Sequence, residues 1–180
     1  FFYSCTLPVL IKEELDFDIT ELTALLDKRK QTFTDSQKDV FVVVVEAIQQ
    51  GSSAAVFIDA RGGTGKTYVL NAILAAVRII DMGSIALAVG ATGIAANLLK
   101  LGRTFHSRFK APLTLNVDSV CNIDAQSTLA KLISMAKLIV WDEAPMSHKF
   151  QLEALDRTLR DITDTNIPFG GKVIVLSGDF

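Results

Sequence analysis

Residues 56–67, with the sequence VFIDARGGTGKT, decide the fold of this chain. An apolar run ends at Asp59, a glycine-rich loop follows, and helical periodicity begins after the loop. A strand, a glycine-rich turn and a helix in this order let backbone N–H groups surround a phosphate, assisted by the positive end of the helix dipole. The pattern G-x-x-x-x-G-K-[S/T] therefore predicts a phosphate-binding loop, with Ala60 in place of the first glycine.

The residues of this loop have distinct expected roles toward a nucleotide. Those that would surround bound ATP are Gly62, Gly63, Thr64, Gly65, Lys66 and Thr67. Lys66 is expected to reach the β- and γ-phosphates, and the Thr67 hydroxyl is expected to bind Mg²⁺. On its own, with Ala60 at the first position, the stretch is also compatible with an ordinary glycine-rich turn between a strand and a helix.

A second group of candidate residues follows another apolar run, which ends at Trp141-Asp142-Glu143. Side chains at the carboxyl end of a parallel strand lie where α/β sheets bind ligands. Asp142 is expected to hold Mg²⁺, directly or through water, and Glu143 is expected to orient or deprotonate the attacking water. Two adjacent acids are also common on solvated surfaces. A lysine loop and an acidic pair together, however, are the two halves of a nucleoside triphosphatase.

Composition bounds the class of protein. The 180 residues suit one domain, and 49% hydrophobic content with a mean hydropathy of +0.35 favours a sheet buried on both faces. The net charge of −2 shows no basic excess, so a nucleic-acid partner has to be argued from motifs. The apolar runs are too short to span a bilayer, so no membrane is expected as a partner. Cys5 and Cys121 are isolated, which favours reduced thiols in an intracellular protein.

Hydrophobic periodicity predicts strands that alternate with helices. The predicted helices span 37–50, 68–80, 94–100, 125–135 and 149–162, and the predicted strands span 54–60, 84–89, 113–117, 137–141 and 172–176. The β-branched run 40–45 favours a strand, but the caps at 34–36 and Gly51 favour a helix. Residues before 31 are weakly patterned and are expected to form a loop and a short helix. The alternation predicts an α/β fold with a doubly wound parallel sheet that carries helices on both faces. With the two nucleotide motifs, the fold is expected to be that of a RecA-like P-loop NTPase.

Several short stretches, in order, resemble motifs of the PIF-type DNA helicases of superfamily one, especially the branch found in Helitron-type transposons. They are TDSQ (34–37), GGTGKT (62–67), ATGIAA (91–96), GRTFHSRF (102–109), WDEAPM (141–146), FGGK (169–172) and SGDF (177–180). The likeness runs from about Phe33 to the last residue. It divides the chain into a flanking segment, 1–33, and a first motor domain, 34–180, and both ends of the chain are expected to be cut.

The resemblance implies ATP-driven 5′-to-3′ unwinding of DNA, in repair, recombination or telomere maintenance, with ATP and Mg²⁺ as cofactors. It implies that Gln37 contacts adenine and that Thr92, Thr104 and His106 lie on the side that binds single-stranded and tailed duplex DNA. A lone histidine is more often structural, but the T-x-H context favours the DNA-side role. The resemblance also implies a second motor domain beyond Phe180, and action in the nucleus of a eukaryote or in a mitochondrion.

Two alternatives stay open at this point. One is a different P-loop ATPase, such as an AAA-type remodeller or a clamp loader, against which the T-x-H stretch and the WDEAPM context both speak. The other is a transposon remnant that binds nucleotide or DNA without turnover, which Ala60 keeps open. The leading hypothesis makes a structural prediction: the strand at 172–176 lies between those ending at Asp59 and Asp142, and Lys66 and Asp142 face one pocket.

Overall fold

One parallel sheet organises the computed structural model, which describes residues 7–80 and 84–179. Its strands are β1 (Ala54–Asp59), β2 (Ile85–Gly90), β3 (Arg103–Thr104), β4 (Ala136–Asp142) and β5 (Val173–Gly178). They lie in the order β1-β5-β4-β2-β3, and every pair of neighbours runs in parallel. The prediction that the last strand lies between those ending at Asp59 and Asp142 is confirmed.

Helices cover both faces of this sheet. The α-helices of the described residues are α1 (Val9–Leu15), α2 (Ile19–Gln31), α3 (Asp35–Gln49), α4 (Lys66–Ile80), α5 (Gly93–Leu98), α6 (Phe105–Phe109), α7 (Thr128–Met135) and α8 (Lys149–Thr163). Two short 3-10 turns, Ala144–Met146 and Pro168–Gly171, follow β4 and precede β5. No helix among the described residues is long and apolar enough to cross a membrane.

The caps decide the structure of the β-branched run that α3 contains. Thr34 and Gln37 form a capping box, in which each side chain accepts a hydrogen bond from the other residue's backbone N–H. Val44 is fully buried while Val42 and Val43 are about half exposed, which is a helical and not an alternating pattern. A helix at this position, as predicted, therefore places Gln37 in its first turn.

The two cores lie on opposite faces of the sheet. Leu138 and Val140 of β4 pack with α3 and α4 on one face, whereas Ile139 and Trp141 pack with α1, α6, α7 and α8 on the other. The Trp141 ring stacks on Phe105, with ring centroids 4.6 Å apart. This arrangement confirms the predicted α/β fold with helices on both faces.

Two local predictions are wrong. Residues 113–117 form no strand, because a turn at Asn116 satisfies its polar groups locally. The Asn116 side chain accepts hydrogen bonds from the Asp118 N–H and from the Ser119 hydroxyl. In the described part of the N-terminal segment, residues 7–31, two helices are present where one short helix was predicted. Asp18 caps α2, but Leu26 is the buried residue of that helix, so its apolar pattern is faint. Of the two cysteines, Cys121 is buried and free, while Cys5 lies outside the described residues.

Candidate active site

The glycine-rich loop between β1 and α4 has the backbone that a phosphate-binding loop requires. Gly63 and Gly65 have φ angles of +79° and +87°, a region that favours glycine. Ala60 is not among the described residues with positive φ, so alanine is tolerated at the position where the motif has its first glycine. The departure from the pattern therefore requires no unusual backbone conformation.

Lys66 lies across this loop. Its ammonium donates hydrogen bonds to the carbonyl oxygens of Ala60 and Arg61, the latter at 3.2 Å. Lys66 is the first residue of α4, so the cation and the positive end of the helix dipole are at the same place. A cation and the positive end of a helix dipole each favour an anion at this loop, where the Gly62 N–H donates to the Asp179 carboxylate at 3.1 Å.

A buried carboxylate adjoins the start of α4. Asp142, at the end of β4, is 2% exposed and accepts hydrogen bonds from the Thr67 hydroxyl at 3.1 Å and the Ser177 hydroxyl at 2.6 Å. The Glu143 N–H donates to the same carboxylate at 3.0 Å. The loop and Asp142 are therefore in direct contact through Thr67, whereas a shared pocket for the Lys66 and Asp142 side chains stays a prediction. Ser177 was missed as a contact, because the sequence motif names it without a role.

Glu143 leaves the strand in a strained conformation. Its φ of 55° and ψ of 38° lie in the left-handed region, which costs a non-glycine residue of order 1–3 kcal/mol. Its side chain is partly exposed, and no hydrogen bond or ion pair within residues 7–80 and 84–179 holds its carboxylate. The carboxylate next to Asp142 is thus available to a solvent molecule.

A cavity of about 420 Å³ opens between α3 and the loop. Val40, Ile58 and Val69 form its apolar wall, and Gln37 and Lys66 contribute polar groups. The Gln37 side-chain N–H donates to the carbonyl oxygen of Thr64 at 3.1 Å. An apolar wall beside an amide suits a flat heterocycle that carries hydrogen-bonding edges.

The predicted DNA-side residues lie elsewhere on the same edge of the sheet. Thr92 caps α5 by accepting from the Ala95 N–H, and Thr104 caps α6 by accepting from the Ser107 N–H. Gly90 of β2 pairs with both Asp142 and Thr104, so the carboxyl edge continues from the buried carboxylate toward β3. Because β1 and β3 are the two ends of the sheet, these threonines lie away from the cavity at α3.

Both ring nitrogens of His106 have partners within the protein. Nδ1 is 3.2 Å from the Ala111 carbonyl oxygen, and Nε2 is 3.2 Å from the side-chain nitrogen of Gln151 in α8. A carbonyl accepts and an amide N–H donates, so these contacts fit the neutral ring with its proton on Nδ1. No sequence pattern predicts the link to Gln151, and a direct contact of His106 with DNA stays a prediction.

Comparisons with known proteins bear on the whole of this arrangement. A family model described as PIF1-like helicase matches residues 32–180. ATP-dependent DNA helicase PIF4 of Trypanosoma brucei brucei (strain 927/4 GUTat10.1) is 34% identical over 133 residues, which cover 71% of this chain and 16% of the relative. ATP-dependent DNA helicase Pif1 of Psychrobacter sp. (strain PRwf-1) is 31% identical over 129 residues, which cover 69% of this chain and 19% of the relative.

A solved structure agrees in fold with the described chain. The crystal structure of Pif1 helicase from Bacteroides in complex with ADP-AlF3 and single-stranded DNA superposes with a TM-score of 0.66 at 26% identity. The match covers 81% of this chain and 32% of that one. The chain thus spans a fifth or less of the two curated relatives and about a third of the Bacteroides protein. By the match over 32–180, the chain belongs to the PIF1-like helicase family.

Proposed function

We propose that this chain is the ATP-binding motor domain of a helicase that unwinds DNA in the 5′-to-3′ direction at the expense of ATP. The observation that carries the proposal is the hydrogen bond of 3.1 Å between Thr67 and the buried carboxylate of Asp142. It joins the phosphate loop to the acidic strand end at one point, which is the arrangement that phosphoryl transfer from a nucleoside triphosphate uses.

The nucleotide would lie across the loop and the adjacent cavity. Gln37 is proposed to hydrogen-bond the adenine edge, with the apolar wall of the cavity against the ring face. The N–H groups of 62–67 and the ammonium of Lys66 are proposed to bind the β- and γ-phosphates, because Lys66 already lies at the positive end of α4.

The Thr67 hydroxyl and the Asp142 carboxylate fit a divalent cation. Both are hard oxygen donors, the kind that Mg²⁺ prefers, and Mg²⁺ is commonly held by one or two protein oxygens together with substrate phosphates. When bound, Mg²⁺ neutralises the charge that develops on the transferred phosphoryl group. Asp142 is already oriented for this role by Ser177 and by the Glu143 N–H.

Glu143 is proposed to orient the attacking water and to take its proton. Its carboxylate follows the metal-binding candidate directly in the chain and is held by no group of the described protein. The left-handed backbone at Glu143 supports this role, because strain of this kind concentrates at functional sites. The second motor domain of the full protein is proposed to supply the arginine that completes the site.

Single-stranded and tailed duplex DNA are the proposed partners, bound at the β2–β3 end of the sheet near Thr92, Thr104 and His106. The Bacteroides protein of the superposed structure is bound to single-stranded DNA, which supports a DNA partner for this chain. An intracellular site of action, membership of the Helitron-type branch, and a role in repair, recombination or telomere maintenance belong to the same proposal.

The test is an ATPase assay with and without single-stranded DNA, together with strand displacement on a 5′-tailed duplex. Both are run on this chain and on a protein that carries it with a second motor domain, with Lys66→Ala as the inactive control. DNA-stimulated hydrolysis and unwinding by the longer protein are expected. Hydrolysis that ignores DNA would favour another P-loop ATPase, and binding without turnover would favour the remnant. Unwinding by the 180 residues alone would contradict the need for two motor domains.

A further inference from the structure

A buried cluster of charges lies outside the nucleotide site. Glu14 of α1 is 3% exposed and faces two buried arginines, Arg78 of α4 and Arg108 of α6. Its carboxylate is 2.6 Å from the Arg108 guanidinium and 3.9 Å from that of Arg78. The three charges come from helices that are far apart in the chain, so the cluster ties the N-terminal segment to both α4 and α6.

Glu14 is the acid that both arginines share; Arg78 in addition donates to the Ala86 carbonyl oxygen at 3.0 Å and lies over the Phe17 ring. Burial lowers the pKa of Arg78 to about 10, and the nearby Glu14 carboxylate opposes that shift. Burial also lowers the pKa of Arg108, again opposed by the charge and the hydrogen bond of Glu14. Removing one member of a buried ion pair leaves an uncompensated charge, which is strongly destabilising. Without Glu14, two buried guanidinium groups would lose the acid that they share.

The arginines in turn hold the backbone between α5 and β3. Arg78 donates to the carbonyl oxygen of Lys100 at 3.3 Å, and Arg108 donates to that of Leu101 at 2.8 Å. Leu101 has a φ of 59°, a left-handed conformation that a leucine adopts only where its surroundings enforce it. These two hydrogen bonds are therefore part of what fixes the connector, residues 99–102.

The connector joins the two proposed DNA-side elements. Thr92 stands at the start of α5, before the connector, and Thr104 caps α6 directly after it. A shift of the connector would change the spacing of the two threonines. The phosphate loop lies at the opposite end of α4 from Arg78. Asn71, between them, accepts from the Lys100 N–H at 3.0 Å and donates to the Thr67 carbonyl oxygen at 3.0 Å, but the helical backbone of α4 itself holds Thr67. A shift of the connector is therefore expected to disturb the threonines more than the loop.

We infer that Glu14 is a positioning residue that fixes the spacing of the DNA-side elements through Arg78, Arg108 and the connector. This inference rests on the proposed function, since it assumes that DNA binds near Thr92 and Thr104. It also assigns a part in DNA binding to the N-terminal segment, which lies before residue 32, where the family match begins. The working motor domain then includes α1.

The test compares Glu14→Gln with Glu13→Gln in the protein that carries this chain together with a second motor domain. Glu13 is the neighbouring acid, about half exposed, in a surface pair with Arg103 at 3.6 Å. Each substitution removes one negative charge, so electrostatics alone predicts an equal, slight gain in affinity for DNA. The positioning role predicts the opposite sign for Glu14→Gln: binding of a fluorescent oligothymidylate about fivefold weaker or worse, with affinity for Mg²⁺-ATP within a factor of two.

Hydrogen exchange gives a second readout that needs no DNA. Amides of the connector, residues 99–102, should exchange faster in Glu14→Gln, and at the wild-type rate in Glu13→Gln. Wild-type exchange at these amides together with wild-type DNA affinity in Glu14→Gln would overturn the inference. If the wild-type protein with its second motor domain bound no DNA, the proposed function would fail, and the exchange data would still decide whether Glu14 holds the connector.

A second variant, Arg108→Met, tests the inference if Glu14→Gln does not fold. Glu14→Gln is expected to lower the Tm by roughly 6–20 °C, so all binding is measured at a temperature where both variants are folded. If Glu14→Gln does not fold, Arg108→Met keeps the Glu14–Arg78 pair and fills the space of the buried stem. It should show the same loss of DNA affinity and the same faster exchange. A folded Arg108→Met with wild-type values in both would refute the positioning role.

Discussion

Gly65 is the residue at which one added methyl group should disturb the nucleotide site without touching the sheet. Its φ is +87°, and a Cβ built on it would lie 2.8 Å from the side-chain nitrogen of Gln37. Gly65→Ala must therefore adopt an unfavourable backbone conformation and push Gln37 away from the Thr64 carbonyl. Gly62 provides the matched control, because its φ is not positive and a Cβ there would meet no atom within 4 Å.

The size of the effect follows from these two contacts. An alanine in the left-handed region costs about 1–2 kcal/mol. Loss of the hydrogen bond from Gln37 to Thr64 costs about 0.5–1.5 kcal/mol. Together they should lower the free energy of unfolding by roughly 1.5–3.5 kcal/mol, which for a domain of this size lowers the Tm by roughly 3–14 °C. Gly62→Ala should shift the Tm by no more than about 2 °C.

Two measurements check this prediction. Thermal unfolding is followed by circular dichroism, and nucleotide affinity by titration with a fluorescent ATP analogue in the presence of Mg²⁺. Gly65→Ala should bind the analogue about tenfold more weakly than Gly62→Ala, a difference of about 1.4 kcal/mol. An equal Tm and an equal affinity for the ATP analogue in the two alanine variants would refute both the strain at Gly65 and the role of Gln37 in binding adenine.

Three further substitutions test other parts of the structure. Lys66→Ala should weaken binding of Mg²⁺-ATP about tenfold or more in the same titration, because it removes a charge-assisted contact to the phosphates; unchanged affinity would contradict the loop assignment. Glu143→Gln keeps the side-chain shape, so binding should persist while single-turnover hydrolysis in a protein with both motor domains falls about 10²-fold or more. Burial lowers the pKa of Lys172 to about 8. Between pH 8 and 10 the lysine is therefore deprotonated in the folded state but still protonated in the unfolded state. The free energy of unfolding of the wild type should rise with pH over this range, compared with that of Lys172→Met. Parallel Tm profiles of the wild type and Lys172→Met over that range would show that the lysine is not perturbed.

The nucleotide-binding part of the site could be predicted because each of its two motifs is a continuous stretch of sequence. The loop 60–67 carries its own strand, turn and helix signals, and Asp142 ends an unmistakable apolar run. A parallel sheet brings the carboxyl ends of its strands to one edge, so the ends of two strands that are distant in the sequence become neighbours in space. The contact between Thr67 and Asp142 could therefore be expected from motif positions alone.

Other features depended on contacts that no local pattern encodes. Glu14 looks like one acid among several in a polar stretch, and its burial becomes visible only when α1 meets α4 and α6. The caps at Thr92 and Thr104 fit the helix starts that follow them, but the contact of His106 with Gln151 joins residues 45 positions apart. The predicted strand at 113–117 is absent from the described sheet, because the composition of a short stretch carries no information on which strand could pair with it.

Strand β5, which lies between β1 and β4, explains how the two halves of the site are held together. At its carboxyl end, Ser177 donates to Asp142 at 2.6 Å, and Asp179 accepts from the Gly62 N–H at 3.1 Å. Between them Gly178 lies so close to Pro145 that a Cβ would be 2.2 Å from that ring. Three consecutive residues thus touch the metal-binding candidate, the turn after Glu143 and the phosphate loop. A displacement of the loop by bound phosphates would therefore reach Asp142 by two routes, directly through Thr67 and through this strand end.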